Sequence, residues 1–359
     1  MENLILDTNI YYKDIKRKTA AFQSLESLIR KSLIKLHVPH FVEREFISQL
    51  VTRYEKSYED IMHNLKQLSE INYFDEEICK KLEQTYFDKN NIVRHAKLHY
   101  LSWLCDMKTE RCELTLDNYK NTFDDYFEGK SPFKSIKNRK DIPDGLIFQN
   151  IKQICSKEKN VHFISEDKEF LTACKGSLAN LQTYHSLDDF IKSDICKAFI
   201  DVDESEESLV LDYCKNNLSE LISRIGTVIP NFLAWKSITS DKIPDDNNEG
   251  TIVNSDEPNN INYDFSEVVY YGGGIIVIPC TFEVDVGVSY YLYKADYYAM
   301  GKTLSVSDHS DHYYSVEESF RASVEALIRF EFDIQKNEGV EGVYLKNCGV
   351  DLLEQIEIL

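Results

Sequence analysis

The chain has 359 residues, with 41 Lys and Arg against 61 Asp and Glu and a formal net charge of −20. Its length suggests two domains, and no run approaches 18 apolar residues, which argues against a transmembrane helix and membrane partner. The excess charge is one-sided: residues 1–200 hold 31 basic and 31 acidic side chains, residues 201–359 hold 10 and 30, so the C-terminal half is a poor partner for a phosphate backbone.

Met1 leads almost directly into strand-like Leu4-Ile5-Leu6 without the basic-then-apolar pattern of a signal peptide, so a cytoplasmic protein is expected. Residues 3–8 read as a buried strand. A helix near 18–33 follows, with Phe22, Leu25, Leu28 and Ile29 on one face. A short strand, Leu36–Val38, stops at Pro39, and a long amphipathic helix begins near His40. Residues 72–128 read as mostly helical and rich in charge. Lys130 to Lys140 is a turn-prone basic stretch, Asp144 opens another helix, and Val161–Ile164 is a strand followed by a short helix to Cys174. Leu181–Tyr184 completes the strands of this half. Their alternation with helices predicts a parallel sheet.

Beyond residue 200 the pattern changes. Glu206 to Ile225 reads as one connecting helix and residues 240–262 as a solvated linker rich in Asp, Asn, Pro and Gly. Tyr263 to Tyr298 reads as an antiparallel hairpin or meander broken at Gly272-Gly273-Gly274. Ser319–Ile334 and Gly342–Leu359 fit helix and strand equally. The division predicted is an α/β domain over 1–198, a connector helix and polar linker over 199–262, and a smaller acidic α+β domain over 263–359 with a regulatory or oligomerisation role.

Four acidic stretches stand out by position. Asp7 ends the first strand. Glu43 and Glu45 lie at the head of the helix after Pro39, Asp144 opens its helix, and Asp167 follows the Val161–Ile164 strand. Carboxylates so placed can converge at the carboxyl ends of a parallel sheet. Their mutual repulsion calls for a divalent cation, and hard oxygens suit Mg²⁺ or Mn²⁺. Asp144 and Asp167 would also serve as plain helix caps. Lys130, Lys134, Lys137, Arg139 and Lys140 precede Asp144 and could hold a phosphate backbone, with Phe133 stacking on a base. Asp141 reads as a loop residue.

In order, Asp7-Thr8-Asn9, Val42 to Glu45, Asp144-Gly145-Leu146-Ile147 and Ser165-Glu166-Asp167 resemble the PIN-domain nuclease family over roughly residues 1–195. The resemblance implies a three-layer α/β/α fold enlarged by a helical insertion between Glu45 and Asp144. It implies a metal-dependent nuclease with Asp7, Asp144 and Asp167 as ligands and Glu45 at a second ion or the attacking water. Thr8, Asn9 and Ser165 support them. Glu43 competes with Glu45 for the second position. RNA is the expected substrate ahead of single-stranded or flapped DNA, and a toxin or defence role is the expected setting. A DNA-directed nuclease and a non-catalytic binding protein are the alternatives. The acidic C-terminal half could bind a protein partner or a second copy.

Other motifs carry less. The nine cysteines include no Cys-x-x-Cys pair and read as buried reduced thiols. His95 and His99 lack the acid of a zinc protease. Gly272-Gly273-Gly274 is a turn, and Asp308 to His312 is a polar loop.

Overall fold

The computed structural model describes residues 1–359 except 71–76, 79, 82–88, 201–203, 302–303 and 338–339. Part of the helical insertion predicted over 72–128 therefore lies outside the described residues. Two units separate by their internal packing. One comprises Met1–Arg17 and Leu25–Cys196, the other Lys18–Ser24 and Lys197–Leu359. Among the described residues no helix is long and apolar enough to cross a membrane.

The chain opens with β1 (Glu2–Leu6), α1 (Thr8–Lys13), α2 (Ala20–Arg30), β2 (Ile34–Pro39), α3 (His40–Glu70), α4 (Lys89–Asp106), β3 (Glu110–Cys112) and α5 (Leu116–Glu128). A short 3₁₀ turn (Arg139–Asp141) runs into α6 (Ile142–Lys157). Then come β4 (Val161–Ile164), α7 (Lys168–Ser177), β5 (Leu181–Tyr184), α8 (Leu187–Ile191) and α9 (Asp194–Ile200). The five strands form one sheet in the order β3-β2-β1-β4-β5, and every neighbouring pair is parallel. Leu4, Ile5, Leu6, Val161, Phe163 and Ile164 are all fully buried, as expected of central strands covered on both faces.

The chain builds the sheet outward from β1 to β2 and β3, then returns to the other side of β1 with β4 and β5. The order therefore reverses between β1 and β4, where an open parallel sheet leaves a crevice at its carboxyl edge. Asp7 and Ser165 follow those two strands directly, and the Asp7 amide donates to the Ile164 carbonyl at 2.9 Å. In α3 the buried positions are Val42, Phe46 and Leu50, a stripe repeating every fourth residue. Phe46 packs on Tyr100 of α4 with ring centroids 4.6 Å apart and on Tyr11 of α1 at 5.5 Å. That aromatic cluster ties the inserted helix to the two helices that begin beside the crevice.

The second unit contains α10 (Glu204–Asn216), α11 (Leu218–Leu233), β6 (Ser237–Thr239), β7 (Glu249–Ser255), β8 (Asn259–Tyr263), β9 (Val269–Gly272) and β10 (Ile275–Tyr293). It closes with α12 (Lys294–Met300), β11 (Val306–Asp308), β12 (Tyr313–Asn337) and β13 (Val340–Ile358). These eight strands make an antiparallel sheet. β10 pairs with β12 from Ile275↔Glu331 to Tyr293↔Tyr313. Leu221, Ile225, Ile229 and Leu233 lie along one stripe of α11 and join the sheet's buried residues in one core. Gly272, Gly273 and Gly274 all take positive φ at the β9–β10 turn, a conformation only glycine adopts cheaply.

Two expectations are corrected here, and one reading left open is settled. Glu206–Ile225 is not one helix: the break at Asn217 separates α10 from α11, whose apolar stripe runs on to Leu233. Residues 240–262 are not a linker, because β7 and β8 pair with β10 there. Their polar side chains are the exposed members of an alternating strand, Gly250 and Ile252 facing inward. Ser319–Ile334 and the stretch from Gly342 onward are strand.

A candidate acidic active site at the sheet's switch point

Asp7 caps α1 and is only 8% exposed. Three donors hold it: the Thr8 amide at 2.8 Å, Asn9 Nδ2 at 2.9 Å and Ser165 Oγ at 2.5 Å. Ser165 in turn accepts from the Asp167 amide at 3.1 Å, so one hydroxyl links the ends of β1 and β4. Asn9 Oδ1 accepts from the Glu166 amide at 3.3 Å across the same gap. Thr8 Oγ1 donates to Glu45 Oε2 at 2.7 Å and Gln49 Nε2 donates to Oε1 at 3.3 Å. Asp167 caps α7 through Oδ1, which accepts from the amides of Glu169 and Phe170. Asp144 stands half-buried in the first turn of α6.

Glu43 takes no part. It forms a two-pronged ion pair with Arg111 of β3, while Glu45, two residues on, faces the crevice. The difference is helical geometry: residues two apart point about 200° away from each other.

The four acids feel one another. Burial, resisted by the Ser165 and Thr8 hydrogen bonds, pushes Asp7 up from 3.8 to about 6, and Glu45 and Asp167 add to the rise. Burial also lifts Asp144, to about 7, with Asp7, Asp167, Glu45 and Asp141 pushing the same way. Two carboxyls held this far above their ordinary range, facing two more, form a donor set whose repulsion a cation relieves. The residues therefore fit a hard divalent ion. They do not close tightly: among the described residues, the three-residue group of metal-ligand type with its ligand atoms within 4.8 Å of one another is His37, Glu110 and Cys112, elsewhere on the sheet. Open spacing suits Mg²⁺ or Mn²⁺, since Mg²⁺ keeps several waters and takes few carboxylates directly.

All four acids line one open cavity of about 1000 Å³. Its wall includes Tyr12, Lys13, Ser48, Gln49, Thr52, Arg53 and Lys56. Those on α3 lie three, four, seven, eight and eleven residues after Glu45, a helical face readable from sequence once Glu45 is fixed. Sequence reasoning passed over them because α3 is charged on several sides. Lys13 pairs with Glu166 at 2.6 Å, and the Arg53 guanidinium lies 5.8 Å from the Tyr12 ring centroid.

The basic stretch before Asp144 stands outside the cavity's lining, with Lys134 reaching the first turn of α7 beside Asp167. None of Lys130, Lys134, Lys137, Arg139 and Lys140 is among the residues lining that cavity. Lys130 pairs with Glu128, Lys134 pairs with Glu169, and Lys137 lies over the Phe127 ring. Phe133 cannot stack on a base, being 5% exposed and packed on Tyr126. Its ring fills the space where Gly145 has no side chain: a Cβ there would meet it at 2.6 Å. Asp141 is buried and accepts from the Lys134 amide and Asn138 Nδ2, both at 2.8 Å, which shapes the loop entering α6.

Residues 4–170 match the family profile described as PIN domain, a span that holds all four acids. No curated protein and no solved structure matches significantly. PIN domains are typically metal-dependent nucleases. Residues 4–170 of this chain are a PIN domain, with an additional C-terminal region beyond it.

Proposed function

We propose that the chain is a Mg²⁺- or Mn²⁺-dependent endoribonuclease whose catalytic residues are Asp7, Glu45, Asp144 and Asp167. The observation that carries this reading is the single cavity lined by Asp7, Glu45, Asp144 and Asp167, in which burial and mutual repulsion hold Asp7 and Asp144 protonated to higher pH than ordinary carboxyls. Asp7, Asp144 and Asp167 would hold the cation, with Glu45 beside them. A bound divalent ion supplies a water of lowered pKa and neutralises charge on the phosphate.

The chain's own residues do the rest. Ser165 and Asn9 fix the rotamer of Asp7, and Thr8 fixes Glu45, so the carboxylates keep their places while repelling one another. Glu45 would orient the attacking water or help hold a second ion. Arg53 and Lys56 line the same cavity from α3 and would offer cationic partners to phosphate oxygens. Lys130 to Lys140 would at most extend that track.

A toxin or defence role, with the acidic C-terminal unit restraining cleavage or binding a partner, goes with this reading. It is supported by the charge division between the halves. Cleavage of labelled RNA, single-stranded DNA and flapped DNA in Mn²⁺ tests the substrate. RNA is expected to be cut fastest. Preferential cutting of DNA would make the chain a DNA-directed nuclease, and cutting of none would favour a non-catalytic binding role.

A further inference from the structure

A second constellation of metal-ligand type lies on the β2–β3 pair, and the nuclease chemistry does not use it. The strands run parallel with His37 opposite Glu110 and Pro39 opposite Cys112. Side chains two apart on a strand share a face, so Glu110 and Cys112 project to one side, and His37 meets them there. His37 Nδ1 is 3.9 Å from Cys112 Sγ and 3.8 Å from Glu110 Oε2. All three ligand atoms lie within 4.8 Å of one another. They line a pocket of about 200 Å³ with Gln153, Lys157 and Glu158.

The histidine is set up for this. Asn3 Nδ2 donates to the Lys159 carbonyl at 2.7 Å, which turns Asn3 Oδ1 toward His37 Nε2 at 2.9 Å. An oxygen accepting at Nε2 puts the ring proton there and leaves Nδ1 with its lone pair toward Cys112 and Glu110. Metal-binding histidines are oriented by this kind of hydrogen bond at the other nitrogen. His37 itself is 1% exposed, so the ring has little freedom to turn away.

Tetrahedral zinc with bonds of ~2.1–2.3 Å places its ligand atoms roughly 3.4–3.8 Å apart. The two separations from His37 Nδ1, 3.8 and 3.9 Å, are a few tenths of an ångström wider at most than this geometry needs, and the third lies within 4.8 Å, so modest side-chain adjustment would close the set. We propose that His37, Glu110 and Cys112 form a binding site for Zn²⁺ or a similar borderline cation, clamping the edge strand β3 to β2. The donor set is nitrogen, sulfur and oxygen, unlike the all-carboxylate crevice, and discriminates against Mg²⁺. Water takes the fourth position.

Binding has two local consequences. Cys112, whose thiol burial pushes up to about 11, gives its proton to solvent as the sulfur–metal bond forms. Glu110 leaves its ion pair with Lys35, which keeps Glu158 at 3.2 Å.

The test uses the full chain, stripped of metal and then held in excess Mg²⁺, titrated with Co²⁺ as the optical probe. The expected result is one equivalent of tetrahedral Co²⁺ with a thiolate-to-cobalt charge-transfer band, displaced by Zn²⁺. Cys112→Ser should abolish the band, and Glu110→Gln should weaken binding about tenfold or more. No charge-transfer band in the wild type would overturn the proposal, as would the same band in Cys112→Ser. Should Cys112→Ser fail to fold, unchanged Co²⁺ affinity in Glu110→Gln, at an exposed position, would overturn it equally. The outcome is independent of whether the acidic crevice cleaves nucleic acid.

Discussion

The two acids with raised pKa values set the behaviour of individual residues. Asp7 and Asp144 bind protons more tightly folded than unfolded. Their contribution to stability is therefore complete below about pH 4 and is lost as pH rises through about 6 to 7. In the absence of metal, Asp144→Asn should then raise the melting temperature at pH 8 and change it little at pH 4.5, measured by calorimetry. Mn²⁺ should stabilise the wild type more at pH 8 than at pH 5.5, because it competes with those protons. A lower melting point for Asp144→Asn at pH 8 would mean that the carboxylate is an ordinary structural cap. Ser165→Ala removes the 2.5 Å donor to Asp7 and the acceptor of the Asp167 amide. Orienting bonds of this kind are worth roughly 10–100-fold in metal affinity or activity. A loss of that size in Mn²⁺-dependent cleavage is expected with a far-ultraviolet spectrum unchanged. Gly145→Ala drives a methyl into Phe133 and should cost about 1–3 kcal/mol in urea unfolding.

At the scale of elements, α3 supplies Glu45, Ser48, Gln49, Thr52, Arg53 and Lys56 to the cavity's lining. Its inner stripe, Val42, Phe46 and Leu50, anchors it, and the face following Glu45 presents Gln49, Arg53 and Lys56 to the cavity. Replacing Arg53 and Lys56 with Gln should raise KM for RNA while leaving kcat nearly unchanged, the signature of lost uniform binding. An equal fall in kcat would instead put these side chains in the transition state. Much of this unit was legible in the sequence because buried parallel strands read as short apolar runs and the acids stand where those runs end. β3 was not legible, since Glu110-Arg111-Cys112 is too short to show a period and is flanked by helices. The long strands β10, β12 and β13 left a clearer trace than was taken. In β12, Ala322, Val324, Ala326, Ile328, Phe330 and Phe332 are buried at every second position. A run of that length carries a helix's prior, and the scattered Glu and Arg between those positions resemble a helix's polar face.

For the whole molecule, charge is the organising fact. The C-terminal 159 residues bear 30 acids against 10 bases, while the N-terminal half is balanced, so favourable contact with a nucleic acid must come from a few local cations. Lys13, Arg53 and Lys56 line the cavity. Three phosphate contacts on a single strand predict a slope of about −2 for log affinity against log salt. Fluorescence anisotropy across a salt series checks this, and a much steeper slope would require a second basic surface such as Lys130 to Lys140. The account as a whole rests on the acids at the switch point holding a divalent cation that cuts phosphodiester bonds. The most direct test compares Mn²⁺-dependent cleavage of labelled RNA by the wild type and by Asp7→Asn/Asp144→Asn. Cleavage by the wild type and none by the folded double variant is the expected result; cleavage that survives both substitutions would place the chemistry away from these acids.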